Sequence, residues 1–142
     1  MSTARLIDLN YVKTGQVRIV FRNHAGLGPE SIWAAEAALC AGDQGKFWDY
    51  HDKLFESWAG ENQGAFAKPN LERFATDLGL DAGKFNACLE QDKYAQRVQD
   101  ETAEGDRRGV KGTPSFFVND VLIVGAQPYE VFKSTIEAAL KR

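Results

Sequence analysis

Cysteine is nearly absent from this chain of 142 residues: Cys40 and Cys88 are the only two, 48 positions apart. That spacing excludes a Cys-x-x-Cys redox motif, and with His24 and His51 as the only histidines there is no zinc-ligand pattern either. Runs of Lys and Arg are also missing, and the net charge is −3, so a nucleic-acid or anionic-membrane surface is not expected. No apolar run approaches the roughly 20 residues needed to cross a bilayer, and Met1 to Arg5 leads into a polar segment instead of a signal-peptide core. A cytoplasmic location is therefore expected of the chain as it stands, and an extracytoplasmic one if the natural gene product is longer. No glycine pattern cradles a phosphate, and neither a metal nor another cofactor is expected.

What is present suits one globular domain with a real core: 44% hydrophobic and 26% charged residues. The two thiols leave two readings open. In a reducing compartment they are inert buried side chains; in an oxidising one a disulfide closing the loop between them stabilises the fold by about 4 kcal/mol in the chain-entropy model.

Taken in order, Arg5 to Val12 reads as the last turns of a helix, with Lys13 at the negative end of its dipole and Gly15 ending it. Val17 to Arg22 is nearly continuously β-branched or aromatic and predicts a strand covered on both faces. Pro29 is placed as the first residue of a helix that carries Ile32, Trp33, Ala35, Ala38, Leu39 and Cys40. Phe47 to Trp58 predicts a second helix, whose aromatic stripe is expected to be core. Asn70 and Asp81 are expected to cap two short helices ending near Leu78 and Leu89. A polar helix follows from about Lys93 to Arg107, and its charge run, Glu101 included, reads as a solvated face. Pro128 begins a final amphipathic helix with Val131, Phe132, Ile136, Ala139 and Leu140 on one stripe.

Between those last two helices lies the most informative stretch, Gly112-Thr113-Pro114-Ser115-Phe116-Phe117-Val118-Asn119, then Asp120 and Val121-Leu122-Ile123-Val124-Gly125. Two β-rich runs around an Asn-Asp break predict an antiparallel hairpin. Pro114 has no N–H for a ladder, so it belongs at a strand start, an edge or a bulge, and an X-Pro bond is where a cis peptide costs least.

Three pieces of the chain together resemble the DsbA-like thioredoxin-fold proteins. They are Thr14 to Arg22; Ala34 to Ala41 with Gly45 to Phe55; and Gly109 to Asn119. The resemblance implies an α/β thioredoxin-like fold over residues 1–142 as a single domain, with a helical insertion at about 29–108. It implies a cis Pro114, with Gly112, Thr113 and Pro114 as a substrate-facing edge that either holds an extended peptide or persists as a vestige. It also implies that Cys40 and Cys88 form a structural disulfide or a close thiol pair. Family members begin with a strand leading to a Cys-x-x-Cys at a helix start. This sequence resembles them only from partway along that helix, so the first, central strand and both redox cysteines are expected to be missing and no catalytic residue is assigned. The family chemistry is thiol-disulfide oxidoreduction; the expectation for this chain is a redox-inactive domain, or alternatively a non-catalytic peptide- or protein-binding module. A homodimer covering the gap left by the absent strand is the expected partner arrangement.

Overall fold

The computed structural model describes residues 1–142, which divide into two compact units, Met1–Phe21 with Asp106–Arg142, and Arg22–Gly105. In the first unit, α1 (Thr3–Ile7) starts where the Ser2 hydroxyl accepts from the Arg5 N–H at 3.4 Å, and it continues into a π-helical turn over Asp8–Val12. The turn is the wider i→i+5 kind because Lys13 N–H reaches back to Asp8 O. Gly15, at φ +78°, ends the segment in the left-handed conformation that a side chain resists.

Val17 to Arg22, expected as a strand, is not one. A strand needs a ladder partner, and the only sheet pairs β1 (Ser115–Val118) with β2 (Val121–Val124). Ile19, Val20 and Phe21 accordingly stay exposed despite their β-branched and aromatic character. The hairpin itself forms around Asn119–Asp120, with Asn119 at φ +52° and Ser115 opposite Val124, Phe116 opposite Ile123, Phe117 opposite Leu122 and Val118 opposite Val121. The unit is completed by α7 (Tyr129–Leu140), for which Pro128 is the residue before the first turn. Tyr11, Ile123, Phe132 and Ile136 make its small buried core, and Val17, Val118 and Tyr129 pack around them. Polar links run along its rim, from Tyr11 OH to Glu137 Oε1 at 3.1 Å and from Asn10 Nδ2 to Tyr129 OH at 2.8 Å.

The second unit is helical: α2 (Pro29–Gly42), α3 (Phe47–Glu56), α4 (Lys68–Asp77), α5 (Ala82–Glu90) and most of α6 (Ala95–Arg107). Its core forms around the small residues of α2. Ala34, Ala37, Ala38, Cys40 and Ala41 let Tyr50 of α3, Leu71, Phe74 and Ala75 of α4, and Phe85, Cys88 and Leu89 of α5 approach closely. Tyr50 is fully buried and satisfies its hydroxyl by donating to Leu71 O at 2.8 Å. Asp81 caps α5 by accepting from Lys84 N–H at 3.0 Å. Asn70 does not cap α4. Pro69 already occupies the first turn after Ala67, so Asn70 lies inside the helix and donates to Gly64 O at 2.9 Å.

Two further expectations fail in this unit. The aromatic stripe is not uniformly core: Tyr50 is buried, but Phe55 and Trp58 remain 72% and 62% exposed. Phe47, Tyr50 and Leu54 face the helical core, whereas Phe55 turns away from it and Trp58 lies beyond the last residue of α3, Glu56. Nor is Glu101 on a solvated face. It is buried and accepts from Asn23 N at 2.9 Å, Asn23 Nδ2 at 2.8 Å and Arg97 Nε at 3.0 Å, with Arg22 at 3.5 Å.

The entry to α2 is built the same way around a buried acid. Glu30 accepts from the N–H groups of Gly64 at 2.7 Å and Phe66 at 3.0 Å, and Asn62 donates to Leu27 O at 2.6 Å. Gly28, at φ +98°, is required here, since a Cβ would lie 2.5 Å from the Asn62 side chain.

Candidate functional site

Gly112, Thr113 and Pro114 form an exposed loop running directly into β1, and the Thr113–Pro114 bond is cis. Ser115 Oγ closes the loop by donating to Gly112 O at 2.6 Å. Pro114 enters the ladder with its one usable main-chain group, accepting from Gly125 N–H at 2.9 Å. Bonded and non-bonded pairs alternate in an antiparallel ladder, so Phe116 and Val118 turn their N–H and C=O groups toward β2, while Ser115 and Phe117 turn theirs away. Those outward groups form an open strand edge directly after the loop. The two Phe side chains point to opposite faces: Phe116 meets Phe132 of α7 edge-on at 4.9 Å between ring centres, and the Arg108 guanidinium lies over the Phe117 ring at 3.8 Å. Arg107, Arg108 and Lys111 are all exposed just before the loop. Sequence reasoning left Arg107 and Arg108 in a charge run and gave Lys111 no role; three cations within the five residues 107–111 were the available signal.

The cysteines lie in the helical unit. Cys40 of α2 and Cys88 of α5 are joined by a disulfide with S–S 2.07 Å and Cα–Cα 5.9 Å. Cys40 is 1% exposed and Cys88 9%, and there is no other cysteine. Beside Cys88 Sγ, at 3.9 Å, stands Asp43 Oδ2, which accepts from Lys93 Nζ at 2.8 Å, while the other carboxylate oxygen, Oδ1, accepts from the Tyr94 hydroxyl. Burial alone would raise the Asp43 carboxyl, but the Lys93 and Tyr94 hydrogen bonds outweigh it and hold the group below the usual range. The same contact raises Lys93, and it raises Tyr94. No group of three or more His, Cys, Asp or Glu side chains is placed to hold a metal ion, and no helix is long and apolar enough to cross a membrane.

Residues 4–138 match the family model described as Thioredoxin. The chain belongs to the thioredoxin family. Among thioredoxin-fold structures it superposes on oxidised BdbD of Bacillus subtilis with a TM-score of 0.87 at 26% identity, covering 97% of this chain and 76% of that one. The thiol-disulfide exchange protein alpha-DsbA2 of Wolbachia pipientis follows with a TM-score of 0.78 at 26% identity, over 96% and 72%. In sequence it is 29% identical to Disulfide bond formation protein D of Bacillus subtilis over 143 residues, 95% of this chain and 60% of that protein. It is 36% identical over 111 residues to the Na(+)/H(+) antiporter NhaA 1 of Salinispora arenicola, which is 78% of this chain but 16% of the antiporter. This thioredoxin-family chain is thus DsbA-like, of α/β class with a helical insertion, and it spans less than two thirds of the length of these curated relatives.

Proposed function

We propose that this chain is the polypeptide-holding part of a DsbA-like thiol-disulfide oxidoreductase and is redox-inactive through its own cysteines. The open β1 edge carries the reading. Ser115 and Phe117 have main-chain groups that β2 does not use, immediately beside the exposed Gly112, Thr113 and Pro114. An extended polypeptide laid along that edge gains ladder hydrogen bonds by strand addition. Support for the redox half is that both cysteines are buried and bonded to each other, which leaves no thiolate to attack a substrate disulfide. Titrating an unfolded peptide should shift the amide resonances of residues 112–117, and the chain alone should not reduce insulin. Insulin reduction that disappears in Cys40→Ala would overturn the redox assignment; peptide-induced shifts confined to the helical unit would overturn the binding one.

A second reading, a non-catalytic binding module, rests on the same edge and on the lack of a third cysteine. The coding sequence immediately upstream of the Met1 codon separates the two: an in-frame Cys-x-x-Cys selects the oxidoreductase, and its absence the module.

The open edge also favours self-association. Val17 to Phe21 presents Ile19 and Val20 without a strand partner, and unpaired apolar edges tend to find one. Sedimentation at high micromolar concentration should give a dimer that covers this edge; a clean monomer there counts against it.

A further inference from the structure

We infer that the polypeptide held at the 112–117 edge is an extended, acidic one, recognised through Arg108 over the face of Phe117 and through the exposed Arg107 and Lys111 before the loop. The inference rests on the proposed edge-binding reading and adds the chemistry of what binds there.

The geometry comes from one residue. Phe117 turns its main-chain groups outward, so an added strand would pair directly with it. In a paired strand the residue opposite stands about 5 Å away, Cβ to Cβ, and on the same face. On that face the Arg108 guanidinium already lies 3.8 Å from the Phe117 ring centre. The incoming side chain therefore arrives beside a planar fork of donors suited to a carboxylate. Arg107, Arg108 and Lys111 are exposed, and none of them forms an ion pair within the chain, so their charge is available.

The charge distribution agrees. The unit that carries the hairpin has nine Lys and Arg against five Asp and Glu, a net +4, whereas Arg22–Gly105 has eight against fifteen, a net −7. Within the hairpin unit, Asp106 lies directly before Arg107 in the last turn of α6, Asp8 is paired with Lys13, Glu137 is engaged by Tyr11, and Asp120 sits in the turn at the far end of β1, roughly 15 Å of strand from Pro114. Glu130, exposed in the first turn of α7, follows Gly125 by five residues and is the acid of α7 nearest in the chain to the loop end of the hairpin. An acidic peptide meets net positive charge here; a basic one is repelled.

The test uses three labelled peptides of one extended backbone that carry Glu, Gln or Lys at alternate positions, with binding to the unaltered chain read by fluorescence anisotropy. The Glu peptide should bind about tenfold more tightly than the Gln peptide at about 0.02 M salt, the Lys peptide most weakly, and the differences should fade at about 0.5 M salt. Arg108→Gln should remove most of the Glu preference, so that the Glu and Gln peptides bind that variant alike. The Arg107→Gln, Lys111→Gln pair, which touches no core residue, should reduce it in the same direction. Equal binding of Glu and Gln peptides, or tighter binding of the Lys peptide, overturns the acidic preference and leaves edge binding standing. Failure of all three peptides to bind overturns the edge-binding reading itself, and this inference with it.

Discussion

Replacing Cys40 and Cys88 together with alanine should lower the unfolding free energy by about 4 kcal/mol. The bond joins α2 to α5 across 48 positions and so closes a large loop; freeing it gives the unfolded chain conformations that the bond denied it. The folded side adds to the loss, since Cys40 lies among Ala37, Ala41, Tyr50, Leu71 and Phe85 in the helical core and its sulfur leaves a small void when removed. Reducing the unaltered protein should have a similar effect, and only after unfolding begins, because neither sulfur is more than 9% exposed. Urea denaturation of the oxidised, reduced and double-alanine proteins measures all three. A loss below about 1 kcal/mol would show that the helical unit holds together without its cross-link.

Glu101→Ala should cost about 3 kcal/mol, from the loss of charge-assisted hydrogen bonds and the exposure of buried donors that then have no partner. Its carboxylate alone satisfies both the main-chain and side-chain N–H groups of the buried Asn23, and it balances Arg97 and Arg22. The pH dependence follows from the same contacts. Burial by itself raises the Glu101 carboxyl, but the Asn23 backbone N–H, the Arg97 guanidinium and the Asn23 amide outweigh it and leave the group lowered. A group lowered on folding contributes stability that is complete above its unfolded value of about 4.3 and is lost as pH falls through the folded value. The unaltered protein should thus lose stability on the acid side of that value faster than Glu101→Gln, as read by thermal melts across the range. Parallel curves for the two proteins would assign the acid sensitivity to other carboxylates.

Much of the architecture was legible because the signals were local. Pro29, Gly15, Asp81 and the Asn119–Asp120 turn each act on their own few residues, so the ends they mark are found where the chain places them. Val17 to Arg22 misled because its β-branched residues report only that a strand would be favourable, and a strand also needs a neighbour to bond with. The aromatic stripe misled similarly: helical spacing says which rings share a face, but Phe55 stays exposed because nothing in the helical core reaches that far round the helix, and Trp58 lies beyond the end of α3. Glu101 looked like any other acid of a polar helix, since burial against Asn23 comes from a residue 78 positions away.

By itself, the sequence determined the helical insertion, the hairpin, the final helix and the absence of a Cys-x-x-Cys, all of which depend on spacing and composition. Only the tertiary structure decided that Cys40 and Cys88 are bonded to each other, that Glu101 is a buried anchor, and that Arg108 lies over Phe117 beside an open edge. The physical reason is the same in each case. Which side chains meet across tens of residues is set by how the elements pack, and periodicity within one element carries no record of its neighbours.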